Sequence, residues 1–410
     1  MTIKLVVLAL VLVAGVYELI LAIVQRRSAN NPTPENVSDV YDAETYAKWK
    51  KYSAENSRLS VASTIVSTLV SLALLMANVH SAFASLFGGG FFPQLLSVVI
   101  LETVVGTVTS TIFGYIRTMK IEEKYGFNRS SVKTFVFDAI RGLIIGFILS
   151  LALITLLAVI HRAMGDWLIL LFAVAVFLIS LAISFLYPIF SRIGNKFVPL
   201  EEGDLKDRLM SLLKKHGYQV KAIEVMDASC RTTKLNAYFT GFGKMKTIVL
   251  YDNLVNAMTP DEICAVFSHE LGHGLHKDVL KMQVMNFFNL LVMAFIAWLA
   301  VRTNALHEVF GFEAVNYGFA YVLMSVGLSL TQPLSSLFMN AYSRAAEYRA
   351  DRQAIEEGYG DSLVGGLKKL AKENFSHLAP SKVNVVLEYS HPPLSERIYA
   401  IEKELKRTNI

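Results

Sequence analysis

The sequence predicts a mainly α-helical integral membrane protein with seven spans and a small α+β domain between spans five and six. Two observations carry this prediction. Of the 410 residues, 53% are hydrophobic and only 18% are charged, which is too apolar for an ordinary water-soluble protein. Seven separate segments are long and apolar enough to cross a bilayer, whereas the chain is polar from Ser191 to Lys281.

Each predicted span is an uninterrupted apolar segment of the length that a membrane-crossing helix needs. The spans run Ile3–Val24, Leu59–Phe83, Phe92–Ile116, Phe135–Ile160, Trp167–Phe190, Met282–Val301 and Val315–Met339. The first resembles a signal peptide, but its n-region has only Lys4 as a basic residue, it lacks a convincing small-x-small cleavage site, and Glu18 interrupts it. We therefore expect a retained span. The chain then divides into residues 1–190 (spans one to five), 191–281 (the polar domain), 282–340 (spans six and seven) and 341–410 (a polar C-terminal segment).

The distribution of Lys and Arg predicts the orientation of the spans. Basic residues are frequent in the loops after spans one, three and five and in the C-terminal segment. The loop after span two has none, the loop after span four has only Arg162, and the loop after span six has only Arg302. We therefore expect the N-terminus outside and the C-terminus in the cytosol. The net charge of +5 mostly reflects this bias and gives no reason to expect a nucleic-acid partner.

The polar domain contains the two cysteines of the chain, Cys230 and Cys264. A disulfide is not expected in the cytosol, and neither cysteine has metal-ligand spacing. Both are therefore expected to be structural thiols.

The residues His269-Glu270-Leu271-Gly272-His273 are the most informative motif. Two histidines four residues apart lie on one face of a helix, so both imidazoles can reach one metal ion, and Glu270 is then placed to take a proton from water at that metal. Thr259-Pro260-Asp261-Glu262 is a good helix start, with a capping hydroxyl, an early Pro and acids at the positive dipole end. Gly272 costs about 1 kcal/mol relative to Ala inside a helix, and one reason for it is close approach of backbone or metal. The alternative is a surface helix with two solvated histidines.

The elements before this helix predict a small sheet. Asp204–His216 is an amphipathic helix that ends at Gly217, and Val220–Val225 is a short strand. Asn236–Gly243 and Thr247–Tyr251 form two strands around a glycine-bearing turn. A small sheet beside such a helix is the zincin arrangement, in which an edge strand holds extended substrate by backbone hydrogen bonds. The alternative is a hairpin that merely packs on the helix.

The C-terminal segment offers a third metal ligand. Because spans six and seven are an even number, residues after Met339 return to the membrane face that carries the histidines. Glu347 and Asp351 lie four residues apart on one helical face. A carboxylate that completes a two-histidine site leaves one position for water, and the second acid can hydrogen-bond a ligand imidazole or the water. The alternative is an exposed charged helix in which Arg344 and Arg349 are the partners of these acids.

Together these motifs resemble the type I CAAX prenyl proteases and their HtpX-type relatives. The resemblance rests on His-Glu-Leu-Gly-His, followed after two spans by Ser343-Arg-x-x-Glu-x-x-x-Asp351. Glu122–Asn128, Asn236–Gly243, His391–Ile398 and the number of spans favour the CAAX branch, and the similarity extends over nearly the whole chain.

The resemblance implies one Zn²⁺ per chain, bound by His269, His273 and Glu347, with Glu270 as the general base. It places His391 and Arg397 near the tetrahedral intermediate, where a donor or cation stabilises the oxyanion. Asp351 is described in such enzymes as a proton donor, and orientation of a ligand is the physically simpler role. Asn236 would belong to the strand that holds substrate. Alternatively, His391 is only a turn residue before two prolines, and Arg397 forms a solvent-exposed ion pair with the glutamate that precedes it.

The resemblance also implies that the seven helices enclose a large water-filled chamber, closed at its cytosolic end by the zinc domain. Polar stripes on two spans are compatible with it: Ser60, Thr64, Ser67 and Ser71 on span two, and Thr103, Thr107 and Ser110 on span three. Glu102 on span three is at membrane depth, and an intramembrane carboxylate indicates function. The alternative is that the stripes only pack helices together.

The sequence thus predicts a membrane zinc endopeptidase that removes the last three residues of isoprenylated CAAX substrates or cuts related membrane-proximal peptides. The alternatives are an HtpX-like quality-control protease and, in another class, a transporter or scaffold with a structural zinc site. Glu270 argues against the last, because a structural site needs no base. The expected partners are a peptide or protein substrate and the lipid bilayer, and the chain is expected to be a monomer. The tail Lys406–Ile410 is no KDEL-type signal, which favours a prokaryotic cytoplasmic membrane over the endoplasmic reticulum.

Overall fold

Seven membrane-length helices are present among the residues that the structure describes, which confirms the predicted number of spans. The structure is a computed structural model, and it describes residues 2–218, 222–240 and 247–408. The long helices are Thr2–Ser28 (α1), Ala43–Met76 (α2), Phe91–Tyr115 (α4), Val132–Met164 (α6), Leu168–Phe190 (α7), Asp278–Arg302 (α11) and Tyr317–Glu356 (α13). Most of the exposed large apolar side chains lie on these helices, as expected of surfaces that face lipid.

The second span ends earlier than predicted. We expected it to reach Phe83, but α2 ends at Met76, Asn78 has a left-handed backbone with φ 52°, and a separate helix, Val79–Ser85 (α3), follows. Lys4 at the start of α1 donates to the Met76 carbonyl oxygen at 2.9 Å and to Asn78 Oδ1 at 2.7 Å. A cation beside a helix C-terminus binds its free carbonyl groups. The prediction was wrong because this cap comes from another span, which the hydropathy of span two does not contain.

Shorter helices and four strands connect and follow the spans. The helices are Glu123–Tyr125 (α5, joined to α4 by a π-helical turn at Ile116–Glu122), Asp204–Lys215 (α8), Asp252–Ala257 (α9), Pro260–Leu275 (α10), Asn304–Glu308 (α12), Gly360–Glu373 (α14), Lys382–Glu388 (α15) and Leu394–Thr408 (α16), with 3₁₀ turns at Glu35–Val37 and Gly165–Trp167. The strands are Phe197–Pro199 (β1), Ala222–Met226 (β2), Ala237–Thr240 (β3) and Thr247–Tyr251 (β4).

The four strands form one small sheet between α7 and α11, in the order β1-β2-β4-β3. Strands β2 and β4 are parallel, and the other two pairs are antiparallel, so β3 is an edge strand. Ile248 and Leu250 of β4 pack with Ile263, Phe267 and other apolar residues of α8 and α10 in a common core. The glycine-bearing turn predicted between β3 and β4 and the first residues of the predicted strand Val220–Val225 lie outside the described residues.

Helix α13 connects the membrane part to the polar part. We expected its span to end near Met339, but the helix continues without a break to Glu356 and contains Pro333 in its interior. It packs against α1, α4, α6 and α11 on one side and against α10, α14, α15 and α16 on the other. The face of its last four turns that includes Glu347, Ala350 and Asp351 is buried, and the helix packs there against α10.

A cavity lined by both polar and apolar residues lies among the spans, in agreement with the predicted chamber. A cavity of about 880 Å³ lies among α1, α2, α4 and α13. Of the polar stripe predicted on span two, Thr64, Ser67 and Ser71 line this cavity. A second cavity of about 550 Å³ lies among α4, α6 and α13 and is lined by Thr103 and Thr107. The two stripes therefore face open space in addition to packing helices.

Candidate metal centre

Helix α10 begins with the cap that its sequence predicts. Thr259 accepts a hydrogen bond from the Glu262 backbone N–H, and Glu262 Oε2 accepts one from the Thr259 backbone N–H at 2.8 Å, which completes a capping box. Lys369 on α14 donates to the same Glu262 oxygen at 2.6 Å. The histidine pair lies three turns further on, so its position depends on a helix that is fixed at its start.

The last turns of α10 and α13 bring three potential ligands together. His269 and His273 lie on the same face of α10, and Glu347 faces them from α13. One ligand atom from each of the three lies within 4.8 Å of the others. Gly272 allows this approach, because a Cβ built there would lie only 3.0 Å from Ala350 Cα. The close neighbour that the sequence could not identify is thus the helix that carries Glu347.

The distances from Glu347 to the two histidines match those between ligands of a tetrahedral metal ion. Glu347 Oε2 lies 3.5 Å from His269 Nε2, and Glu347 Oε1 lies 3.3 Å from His273 Nε2. Two ligand atoms at about 2.1 Å from a tetrahedral ion are about 3.4 Å apart. Glu347 is only 3% exposed, and its Oε2 makes no hydrogen bond to any residue described, although Arg397 Nη1 lies 3.2 Å away as an ion-pair partner. A buried carboxylate needs positive charge beside it, and this site offers Arg397 on one side and the position between the two histidines on the other.

Asp351 and Arg397 hold His269 from behind. His269 Nδ1 lies 2.9 Å from Asp351 Oδ1, and Arg397 donates to both Asp351 oxygens, from Nε at 2.9 Å and from Nη2 at 2.5 Å. Burial by itself lowers the pKa of His269. Hydrogen bonds to Asp351 and Glu347 together have the larger, opposite effect, so the pKa rises to about 9. Burial likewise lowers the pKa of Arg397, and the Asp351 carboxylate outweighs this, so its pKa lies above the ordinary value. Arg397 is therefore a buried partner of a carboxylate and not half of a solvated pair.

His273 has a carboxylate partner of its own, Asp278 at the start of α11. His273 Nδ1 lies 3.1 Å from Asp278 Oδ2, and Tyr342 Oη and Arg349 Nη2 donate to Asp278 Oδ1 at 2.7 and 2.8 Å. Asp278 is 3% exposed. A carboxylate on Nδ1 selects the tautomer whose Nε2 is free to bind a metal. Each histidine is thus oriented by a separate buried acid.

The two other predicted site residues near the ligands are Glu270, which follows His269 on α10, and His391, which precedes α16. Glu270 is half-buried, and its carboxylate makes no hydrogen bond or ion pair to the described part of the chain. His391 lies 3.0 Å from Glu347, from Nδ1 to Oε1, and its side chain is 66% exposed. A free carboxylate and an accessible imidazole beside a metal position are suited to proton transfer and to hydrogen bonding with a ligand.

Asn236 directly precedes the edge strand β3. Its side chain is exposed, and its carbonyl oxygen accepts a hydrogen bond from the Tyr251 backbone N–H at 3.1 Å. Its Oδ1 accepts one from the Ala237 N–H at 2.9 Å. Asn236 therefore joins β3 to β4, and the outer edge of β3 has no partner strand in the sheet.

Sequence reasoning missed Asp278 and its partners Tyr342 and Arg349. Asp278 follows the motif by five residues and begins a membrane helix, where an acid is ordinarily interpreted as a complement to the helix dipole. Its burial was the missing signal, since the sequence does not show that Lys277 turns left-handed with φ 55° and folds α11 back beside His273. Arg349 was considered only as a partner for Glu347 or Asp351.

Two family models match the chain. The model of peptidase family M48 matches residues 199–405, and the model described as CAAX prenyl protease N-terminal, five membrane helices, matches residues 24–192. Together they cover six of the seven spans and the candidate metal centre.

Named relatives match over almost the full chain. The CAAX prenyl protease 1 homolog of Arabidopsis thaliana is 30% identical over 98% of this chain and 98% of its own length. The CAAX prenyl protease 1 of Saccharomyces cerevisiae is 27% identical over 90% of this chain and 88% of its own. The crystal structure of S. mikatae Ste24p superposes with a TM-score of 0.91 at 26% identity and covers 98% of this chain and 99% of that one.

Proposed function

The chain belongs to the type I CAAX prenyl proteases of peptidase family M48, and from this membership we propose that it is a zinc endopeptidase that removes the C-terminal tripeptide of isoprenylated CAAX substrates. That it is a multi-pass membrane metallopeptidase follows from the family and the seven spans. The observation that carries the proposal is the convergence of His269, His273 and Glu347, with Glu270 next to His269 on the same helix.

The proposed metal ligands are the Nε2 atoms of His269 and His273 and the carboxylate of Glu347, with one Zn²⁺ per chain. Two imidazoles and one carboxylate with tetrahedral spacing are the donor set of catalytic zinc. Zinc in such a site polarises the scissile carbonyl and makes water a nucleophile near neutral pH.

The remaining residues have distinct proposed roles. The Glu270 carboxylate takes a proton from the attacking water and later passes it to the leaving amine. His391, accessible at the centre, donates a hydrogen bond to the carbonyl oxygen as this oxygen gains negative charge. Asp351 and Asp278 hold the Nδ1–H groups of the two histidines, and Arg397 keeps Asp351 ionised and in place, so these three are positioning residues.

The edge strand β3 is proposed to bind the substrate backbone. An extended peptide that pairs with its free edge satisfies backbone hydrogen bonds on both sides and presents the scissile bond to the face of α10. Asn236 would fix the start of this edge through its link to Tyr251. The predicted division of the chain into residues 1–190, 191–281, 282–340 and 341–410 is part of this proposal. Residues 191–281 and 341–410 are proposed to supply the site.

The test of function is peptide cleavage by purified protein, with products identified by mass spectrometry. A farnesylated CAAX peptide and its unprenylated twin are compared, with and without chelator and with zinc restored. Glu270→Gln should keep its zinc and lose cleavage by about 10²- to 10⁴-fold. Glu262→Gln on the same helix is the matched control, because Gln also completes a capping box. Absence of cleavage of both peptides would refute the protease, and equal cleavage would refute the requirement for prenylation.

The active site is proposed to face the cytosol, with the N-terminus on the other side, in a prokaryotic cytoplasmic membrane. Cys230 is exposed and Cys264 is buried, so one native thiol reports on the polar domain. A membrane-impermeant maleimide should label Cys230 in inverted vesicles and not in right-side-out ones. The opposite pattern would reverse the proposed orientation, and fractionation of the source cells tests the identity of the membrane.

A further inference from the structure

The larger cavity approaches the metal centre along α13 and extends into the membrane. Asn340 lines the cavity and lies two turns before Glu347 on nearly the same face of α13, about 10 Å along the helix. Glu388, three residues before His391, lines it as well. The cavity extends from there to Ser325 on α13 and to His80 and Glu102. About three residues of an extended chain bridge the roughly 10 Å between Glu347 and the near end of this cavity.

The residues lining this cavity include acids but no lysine or arginine. The acids are Glu18 on α1, Glu102 on α4 and Glu388 on α15. Glu102 lies 2.6 Å from His80 Nε2, and Glu388 accepts a hydrogen bond from the Asn384 amide. Glu18 makes no hydrogen bond or ion pair to the described residues. Carboxylates at membrane depth are costly unless a cation compensates them, and in such places they mark the path of a ligand.

The pair of His80 and Glu102 is a built site, more than an accumulation of acids. His80 is 2% exposed, and its Nδ1 has no hydrogen-bond partner among the described residues. Its Nε2 fixes one oxygen of Glu102 at 2.6 Å. Glu102 also lines the second cavity, so its carboxylate lies at the boundary between the two. Nε2 of His80 is thus occupied by one Glu102 oxygen, and Nδ1 of His80 and the second Glu102 oxygen remain for a ligand.

We propose that this cavity binds lysine and arginine side chains of the substrate, N-terminal to the scissile bond. The inference rests on the proposed function for the direction of the chain, since only three residues follow the cleaved bond. Ser325, which lines both cavities with Glu102, precedes Glu347 by 22 residues, or about 33 Å along α13. An extended peptide spans this distance with about ten residues. A cationic side chain about ten residues upstream reaches Glu102, and nearer ones reach Glu388 and Glu18.

The test compares two fluorescent farnesylated peptides that are identical except for lysine or glutamine at positions eight to twelve upstream of the scissile bond. Their Kd values are measured by anisotropy on the zinc-loaded Glu270→Gln protein, which holds them uncut. The lysine peptide should bind about tenfold more tightly. Adding Glu102→Gln should remove most of this preference and leave the affinity of the glutamine peptide unchanged. Glu18→Gln, which removes no hydrogen bond, should weaken the lysine peptide as well.

The matched control is Glu313→Gln, an exposed acid that lines neither cavity. Equal binding of the two peptides, or a lysine preference that survives both cavity substitutions, would overturn the proposal. Loss of the lysine preference in Glu313→Gln would also overturn it, because the preference would then depend on the net charge of the protein and not on the acids of the cavity. Because this experiment measures binding and not cleavage, its outcome can be interpreted even if the protein proves not to cut the peptide.

Discussion

The substitution Gly272→Ala tests whether contact between α10 and α13 builds the metal centre. The added Cβ would lie 3.0 Å from Ala350 Cα and 3.0 Å from Gln353 Cβ. Ala350 Cα is backbone and cannot rotate away. Carbon atoms in contact lie about 3.5–4.0 Å apart, so the two helices must separate by about 0.5–1 Å.

Two opposing energies act on this variant. Alanine gains about 1 kcal/mol over glycine in a helix interior, whereas forcing a methyl group into a packed core costs about 1–3 kcal/mol. The net change in stability is therefore small, and the larger effect falls on the site. His269 and His273 lie on one helix and Glu347 on the other, so any separation lengthens both ligand distances. A displacement of 1 Å costs about 10²-fold in rate when catalytic groups must be aligned.

The assays are zinc affinity by competition with a chromogenic chelator and the rate of peptide cleavage. Gly272→Ala should lower zinc affinity at least tenfold and cleavage about 10²-fold, with little change in melting temperature. Gly366→Ala is the matched control, since it lies in α14 against the same helix α10. There a Cβ meets Glu262 Cβ and Val266 Cγ2 at an ordinary 3.7 Å. This control should keep full activity and gain up to about 1 kcal/mol in stability.

The reasoning is refuted if Gly272→Ala binds zinc and cuts peptide like the unmodified protein. It is refuted equally if Gly366→Ala loses zinc to the same extent, because the effect would then follow from any bulk beside α10.

The remaining predictions concern the groups behind the ligands. Asp278→Asn should lower zinc affinity by about 10- to 100-fold, measured by the same chelator competition, whereas Asp261→Asn, an exposed acid on α10, should leave it unchanged. Because the pKa of His269 is raised to about 9, zinc must displace a proton below that pH. Zinc affinity should therefore rise with pH up to about 9, with a proton released that calorimetry in two buffers can count. After removal of zinc, protonated His269 should stabilise the folded protein, because its pKa is higher in the folded state than in the unfolded one. This contribution is fully present below about pH 6.5 and is lost as the pH rises through 9, so the melting temperature should fall over that range. A melting temperature that does not change with pH would contradict the raised pKa.

Local patterns predicted the elements of this fold because their causes are local. Hydropathy over about twenty residues is enough to place a span, and all seven were found. The capping box at Thr259 and Glu262 is formed by residues three apart, so the start of α10 was predicted correctly. The end of α2 was not, because Lys4 of another helix ends it.

The candidate site, too, could be predicted only where its causes are local. The spacing of His269 and His273 and the even number of spans before Glu347 could be inferred from the sequence. The role of Arg397 was less accessible, because a Glu-Arg pair gives no indication of burial. The position of Asp278 depends on a single left-handed residue, Lys277, for which no pattern gives a signal.

By itself, then, the sequence determined which side chains share a helical face and which segments are long and apolar enough to cross a membrane, because both follow from the periodicity and length of single helices. Tertiary structure alone decided which carboxylate supports which histidine, how closely Gly272 approaches Ala350, and that three acids face one cavity. Those features depend on distances between helices that are far apart in the chain, and such distances are set by the packing of the whole molecule.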